Sequence, residues 1–213
     1  MRLKAEILAM QVIPNVDAAL KKELQLADHH RSIGMLTTTI DDVGYTALDE
    51  ATKHAEVDVV YAKSFYAGAA NASGPLSGEF IGIIAGPSPD EIRSGLDAIE
   101  NTIENVAFFE SLNESGTHAL YAHVVPRTGS FLSETAGISI GEPLAYLIAP
   151  PLEAVYGIDA ALKAADVRLV KFFGPPSETN FGGGLLTGSQ SACRAAADAF
   201  KDAIEEIAKR PVR

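Results

Sequence analysis

A segment of this chain occurs twice, and the repeat restricts the folds that the chain can adopt. Residues 48–60 read LDEATKHAEVDVV, and residues 158–170 read IDAALKAADVRLV. The two copies lie about 110 positions apart in a chain of 213 residues, so the offset is half of the chain length. Self-similarity at a fixed offset indicates repeated structural units. We therefore predict two domains of similar structure, residues 1–111 and 112–213.

Two more pairs of segments match in the same order along the two halves. The glycine-bounded apolar run at 78–86 corresponds to residues 182–188, and each run leads into a predicted helix. Near the start of each half, Val-Ile-Pro at 12–14 corresponds to Val-Val-Pro at 124–126. A chance similarity of two amphipathic helices does not explain three matched pairs in the same order. The duplication therefore extends over most of the chain.

The composition is that of a folded globular protein and excludes several classes of function. Hydrophobic residues make up 47% and charged residues 21%, which excludes a disordered chain. The net charge is -11 and the 17 Lys and Arg residues are scattered, so no nucleic-acid partner is expected. The amino terminus lacks a signal-peptide pattern, and no apolar run approaches the roughly 20 residues that cross a bilayer. We expect a soluble cytoplasmic protein with no membrane partner.

The single cysteine, Cys193, excludes an internal disulfide and a cysteine-rich zinc site. It lies among small residues in a predicted helix, so we expect a buried structural thiol.

Hydrophobic periodicity predicts that strands alternate with helices in each half. In the second half, the predicted strands are 119–125, 144–148, 167–173 and one beginning at 184–186, and the predicted helices are 152–165 and 189–209. In the first half, the predicted helices are 45–55 and 89–106, and the predicted strands are 57–60 and 79–85.

Residues 157–167 form an alanine-rich helix with Lys163 that runs directly into a strand, and they resemble the helix-to-strand signature of bacterial microcompartment shell domains. Residues 123–127, HVVPR, resemble the strand end that these domains usually carry after their second helix, but here they lie toward the start of their half. This displaced order, present in both halves, is similar to that of the circularly permuted tandem shell proteins. The similarity to the shell proteins of ethanolamine-utilisation compartments extends over nearly the whole chain, including residues 49–53, 66–70, 147–154 and 176–180.

The resemblance implies a fold of the α/β (α+β) class with two tandem circularly permuted shell domains. Each domain would be a small, mostly antiparallel sheet flanked by helices. Three chains would form a homotrimer that imitates a hexamer and packs with other microcompartment shell proteins in a hexagonal layer around ethanolamine-degrading enzymes. The expected location is the shell of a microcompartment in the cytoplasm. The expected role is structural, without enzymatic activity, cofactor or resident metal.

The resemblance also implies small pores that bind ethanolamine and a gated central pore for larger metabolites or cofactors. Two loops at equivalent places in the repeats, residues 62–78 and 174–184, are rich in Gly, Pro, Ser and Asn and are therefore candidates for pore lining. The alternative is that both loops are ordinary surface connections.

Seven residues are transferred from the family pattern as ethanolamine contacts: Asp41, Asp42, Glu79, Phe109, Thr179, Asn180 and Phe181. The carboxylates would take the ammonium group, Thr179 and Asn180 would take the hydroxyl group or a backbone position, and the two phenylalanines would form walls. The residues alone favour helix capping or a solvated turn for Asp41 and Asp42, and core packing for Phe109, over a role in binding.

Other patterns carry less chemistry. His29 and His30 are candidate metal ligands, but adjacent residues are expected to point in different directions, so no metal site is predicted. No nucleophile elbow, phosphate-binding loop or other catalytic motif is present. The alternative to a shell protein is a small-molecule-binding regulator or an enzyme of duplicated α/β type, in which the acidic cluster would carry out proton chemistry. Self-assembly into ordered layers distinguishes the two.

Overall fold

The computed structural model describes residues 1–66, 74–116 and 118–210. The chain divides into two compact units. The amino-terminal unit consists of Lys4–Ala107 and Gly129–Leu132, and the carboxyl-terminal unit consists of Met1–Leu3, Phe108–Thr128 and Ser133–Arg213. Each unit therefore includes a short segment from the other half of the sequence. The division at residues 111 and 112 stays a prediction about the repeat.

The amino-terminal unit is an antiparallel sheet with two long helices packed against it. After a short strand at the chain start, β1 (Arg2–Leu3), the elements follow in this order: β2 (Ile7–Ile13), α1 (Ala18–Glu23), β3 (Ser32–Thr38), α2 (Asp41–His54), β4 (Asp58–Ser64), β5 (Phe80–Gly86) and α3 (Pro89–Asn105). The sheet order is β2-β3-β5-β4, and every pairing is antiparallel. Helices α2 and α3 pack against each other and against the sheet.

The carboxyl-terminal unit repeats this arrangement. Its elements, with α4 having residues in both units, are β6 (Phe109–Ser111), β7 (Ala119–Val125), α4 (Ser130–Ala136), β8 (Leu144–Ala149), α5 (Pro151–Ala164), β9 (Val167–Phe173), β10 (Gly182–Gly188) and α6 (Gln190–Lys209). The sheet order is β1-β6-β7-β8-β10-β9, again antiparallel throughout. The part β7-β8-β10-β9 has the same order as β2-β3-β5-β4. The predicted α+β fold with two similar domains is confirmed.

The predicted elements agree with the structure most closely where periodicity is clear. The predicted strands at 119–125 and 167–173 coincide with β7 and β9. The pattern predicts neither β2 nor β3 as a strand. Strand β3 reads SIGMLTT and lies between β2 and β5, with all but two of its side chains buried, so its sequence does not alternate. Helix α2 begins at Asp41, four residues before the predicted start at 45, because the acidic pair belongs to its first turn.

The core of the carboxyl-terminal unit lies between its sheet and the helices α5 and α6. The buried side chains of Phe200 and Ile204 on α6 pack there with Leu147 and Leu186 from the sheet. Cys193 is fully buried in this cluster, with its sulfur 3.8 Å from the backbone oxygen of Leu186. Burial raises the pKa of its thiol, which suits a structural role, as predicted. Within the described part of the chain, every helix is too short or too polar to span a bilayer.

Candidate functional site

Asp41 and Asp42 form the first turn of helix α2. The residues are buried, with 7% and 6% of their surfaces exposed, which excludes the solvated turn considered from sequence. The N-cap residue is Ile40, without a side-chain cap, and Asp41 Oδ1 accepts a hydrogen bond from the backbone N–H of Asp42 at 3.0 Å. The positive end of the helix dipole favours carboxylates at this position. The pair therefore places two buried carboxyl groups at a helix start.

Glu79 adds a third carboxylate to this region. Its backbone lies between two strands, with its N–H donating to Thr38 O at 2.9 Å and its carbonyl accepting from Phe65 N at 3.0 Å. Partial burial raises the pKa of Glu79, and the negative charge of Asp41 raises it further. The carboxyl groups of Glu79 and Asp41 are therefore near enough to interact electrostatically. A cation placed among them would lower the pKa of Glu79.

Tyr45 belongs to the same region, although the sequence pattern did not single it out. Its hydroxyl lies 2.8 Å from Ser64 Oγ, and its ring meets Phe80 edge-on with centroids 4.8 Å apart. Burial raises the pKa of the hydroxyl, and the charges of Asp41 and Asp42 contribute. Its position one turn after the acidic pair is the sequence signal that could have identified it.

Phe109 and Phe181 contact each other in the carboxyl-terminal unit. Their ring centroids are 5.8 Å apart with an edge-to-face geometry, and Phe109 also stacks on Tyr121 at 5.1 Å. Phe109 is 5% exposed and Phe181 is half-buried. The core-packing interpretation of Phe109 thus holds, whereas Phe181 is only partly buried.

Thr179 and Asn180 lie in a tight turn between β9 and β10. The N–H of Ser177 donates to Phe181 O at 2.7 Å, and the N–H of Asn180 donates to Ser177 O at 3.0 Å. Asn180 is exposed and has a φ of 67°, a left-handed conformation that asparagine tolerates. Thr179 is half-buried beside Ser177 Oγ, which lies 3.3 Å from its hydroxyl.

The seven predicted contacts therefore form two groups. Asp41, Asp42 and Glu79 belong to the amino-terminal unit, and the other four belong to the carboxyl-terminal unit. Of the first candidate pore loop, residues 67–73 lie outside the described residues, and residues 62–64 belong to β4. The end of that loop is anchored by Thr37 Oγ1, which donates to Leu76 O at 2.6 Å.

Helix α2 is covered by residues 129–132, a contact that the sequence pattern does not predict. The Asp49 carboxylate accepts hydrogen bonds from the backbone N–H groups of Gly129 and Leu132, both at 2.8 Å. The N–H of Ser130 donates to Thr52 Oγ1 at 3.1 Å. Asp49 is fully buried, and its burial raises its pKa despite these donors and the nearby Lys53.

The equivalent face of helix α5 is exposed. Asp159, the counterpart of Asp49 in the repeat, is 61% exposed and pairs with Lys163 at 2.6 Å. Leu152, Val155 and Tyr156 on the same helix are each at least half exposed. Their counterparts in α2, at the same offset of about 110 positions, are buried or half-buried. We call these four residues of α5, including Asp159, the α5 patch.

Within the described residues, one group of three side chains has the separation of a possible metal site: His29, His30 and Asp58.

Comparison with known proteins identifies the relatives of this chain. Residues 32–115 match the family described as the BMC domain. The chain is 59% identical over 210 residues to the bacterial microcompartment shell protein EutL of Clostridium perfringens, covering 99% of this chain and 97% of that protein. It is 54% identical over 211 residues to the protein of the same name from Escherichia coli, covering 99% and 96%. The crystal structure of the ethanolamine utilization protein EutL from Leptotrichia buccalis superposes with a TM-score of 0.97 at 63% identity, covering 100% of this chain and 98% of that one.

Proposed function

Because the chain belongs to the EutL family of bacterial microcompartment shell proteins, we propose that three copies of it assemble into a pseudohexameric tile. As a member of this family it is a structural component of the ethanolamine-utilisation microcompartment shell and not an enzyme. We further propose four properties of this shell component: it forms a homotrimer, packs with other shell proteins in a hexagonal layer, binds ethanolamine and contains a gated pore.

The trimer proposal rests on a difference in exposure between equivalent helices of the two repeats. Helix α2 is covered by residues 129–132, whereas the α5 patch is exposed. By the match of Pro14 with Pro126, the counterpart of residues 129–132 is residues 17–20, at the start of α1. Leu132 is 1% exposed, whereas its counterpart Leu20 is 40% exposed. The carboxyl-terminal unit thus has an exposed helix face, and the chain has an exposed segment of the type that covers such a face.

Residues 17–20 of a second copy fit this role. Leu20 lies in the first turn of α1, where backbone N–H groups have no acceptor within the helix. Asp159 would accept from that turn as Asp49 accepts from Leu132, and Leu20 would cover the apolar side chains of the α5 patch. Every copy would donate one segment and receive one. Such head-to-tail contacts form a ring when the rotation closes, and three two-domain chains give six domains.

The tile is tested by measuring mass and layer formation. Light scattering on a sizing column should give about three times the chain mass of 22.4 kDa. Electron microscopy of concentrated protein should then show hexagonally packed layers. A monomer or dimer that forms no layers would contradict the tile and would favour the alternative of a small-molecule-binding regulator.

We also propose that the acidic group, Asp41, Asp42 and Glu79, binds the ammonium of ethanolamine. In a partly buried region, each ionised carboxylate makes ionisation of its neighbours less favourable, and a bound cation offsets this effect. The raised pKa of Glu79 supports the proposal because it reflects burial first and then the negative charge of Asp41. In the other unit, Phe181 supplies a partly exposed aromatic residue that the buried Phe109 supports from behind, and Thr179 and Asn180 supply polar groups for a hydroxyl. We propose that all seven residues contact ethanolamine.

The gated central pore is proposed for the loops that join β4 to β5 and β9 to β10. They connect equivalent strands in the two repeats, which supports an equivalent placement in a ring of six domains. Electron microscopy maps with and without ethanolamine should show two paths for these loops. One identical path under all conditions would contradict gating.

A further inference from the structure

Three potential metal ligands from two separate segments converge in the amino-terminal unit. His29 and His30 precede strand β3, and Asp58 is the first residue of β4. One ligand atom from each residue lies within 4.8 Å of the other two. Asp58 Oδ2 is 2.9 Å from His30 Nε2 and 3.9 Å from His29 Nε2.

The two adjacent histidines point toward one carboxylate, whereas the sequence predicts that they diverge. The two imidazole rings have centroids 4.2 Å apart and are tilted by 57°. A turn in which the N–H of His30 donates to Ala27 O at 3.0 Å directs both rings toward Asp58. The third ligand was not visible in the sequence because it lies 28 positions after His30.

We propose that His29, His30 and Asp58 bind a divalent transition-metal ion of the zinc class, with solvent in the remaining position. Two imidazole nitrogens and one carboxylate oxygen are a donor set that Zn²⁺ prefers, and its bonds of about 2.0–2.1 Å place neighbouring ligand atoms roughly 3.3 Å apart. The observed separations of 2.9 and 3.9 Å lie on either side of this value.

The burial of the three side chains is suited to closing around an ion. The His30 side chain is 5% exposed and forms a fixed anchor, whereas those of His29 and Asp58 are 59% and 58% exposed. The two exposed side chains are free of tight packing, so they can make the small adjustment that coordination requires. The His29 side chain can also be removed without leaving a cavity in the core.

Binding has to replace an existing hydrogen-bond arrangement at His30. Its Nδ1 accepts from the N–H of Ala27 at 3.2 Å, so the neutral ring carries its proton on Nε2 and donates to Asp58. Coordination through Nε2 moves that proton to Nδ1 and breaks the contact with Ala27. Loss of one ordinary hydrogen bond reduces affinity by only about fivefold, which three coordinate bonds outweigh.

The test is a titration of tag-free, metal-stripped protein with Co²⁺, followed by displacement with Zn²⁺. We expect one ion per chain and the intense visible absorption of tetrahedral Co²⁺. His29→Ala should weaken binding by about tenfold or more. The matched control is His54→Ala, which removes another exposed histidine, 64% exposed and near Glu50.

Asp58→Asn gives a second, independent arm. Asparagine keeps an oxygen that accepts from His30 Nε2–H, so a purely structural role for the His30 and Asp58 pair would leave both folding and metal uptake unchanged. The proposal expects unchanged thermal unfolding of the metal-free protein together with weaker Co²⁺ binding. Absence of uptake, or equal uptake by the parent, His29→Ala and His54→Ala proteins, would overturn it.

Discussion

The Asp49 carboxylate accepts a hydrogen bond from the backbone N–H of Leu132 at 2.8 Å, although 83 positions separate the two residues. Together with the bond from Gly129, it attaches residues 129–132 to helix α2. A segment from the second half of the sequence thereby becomes part of the amino-terminal unit. The same relationship, with Asp159 in place of Asp49, underlies the proposed contact between copies.

Replacing Asp49 should destabilise the fold. Asp49→Ala leaves two buried N–H groups without their acceptor, so the free energy of unfolding should fall by about 2–4 kcal/mol. Chemical denaturation measures this change. Asp90→Ala, at a position whose side chain is 89% exposed, is the control and should stay within about 0.5 kcal/mol of the parent. Equal stabilities for the two variants would mean that the attachment of residues 129–132 contributes nothing.

Replacing Asp159 should act on assembly and not on the fold of the single chain. Asp159→Ala removes the acceptor proposed for the first turn of α1 in a neighbouring copy, so the trimer should dissociate at a concentration about tenfold higher than the parent requires. Sedimentation velocity over a dilution series measures this. Lys163→Ala removes the present partner of Asp159 but keeps the acceptor, and should leave the trimer intact. If both variants dissociate alike, the α5 patch is not the contact.

Ethanolamine binding should depend on the acidic group. The Asp41→Ala, Glu79→Ala double variant removes two of three carboxylates and should abolish the heat of binding that calorimetry records with millimolar ethanolamine. An Asp90→Ala, Glu100→Ala variant has the same change in net charge at exposed sites and should bind as the parent does. Identical heats for the two double variants would rule out the acidic group as the binding site.

Glu79 should make stability depend on pH in a defined direction. Because its pKa is raised in the folded protein, the folded state holds this proton more tightly than the unfolded state, so stability from Glu79 is present below its ordinary pKa of 4.5 and is lost as the pH rises through the raised value. Glu79→Gln should therefore melt at a higher temperature than the parent at pH 7.5. The difference should disappear below pH 4.5, as scanning calorimetry can verify. A variant that is less stable at pH 7.5 would contradict the sign.

Gly183 should tolerate no side chain. Its φ is +152°, and a Cβ there would lie 1.9 Å from the backbone oxygen of Leu147 on the neighbouring strand. We expect Gly183→Ala to lower the free energy of unfolding by more than about 2 kcal/mol. Gly137 has a φ of +63°, and a Cβ added there would meet no atom within 4 Å, so Gly137→Ala isolates the backbone effect and should cost about 1–2 kcal/mol. Equal losses of stability in the two variants would show that the close approach of β10 to β8 does not restrict the size of the residue at position 183.

The architecture follows from the sequence wherever the signal is local. The repeat predicted two similar domains, and apolar periodicity with the prolines that follow placed β7 and β9 at their observed bounds. Ser189 before an alanine-rich periodic run correctly marked the start of α6, where its side chain accepts from Ala192 N–H. The family resemblance indicated Asp41 and Glu79, and the negative charge of Asp41 contributes to the raised pKa of Glu79. These features depend on residues close in the chain or on comparison of one half with the other.

Which distant residues meet is a property of the folded chain and could not be read from the pattern. The attachment of residues 129–132 to Asp49 and the approach of Asp58 to His29 and His30 each join segments that no periodic pattern links. The burial of Asp41 and Asp42 likewise follows from packing around the start of α2 and not from their composition. Local hydrogen bonding and hydrophobic period specify helices and strands, whereas the identity of a buried charge's partner depends on how those elements pack.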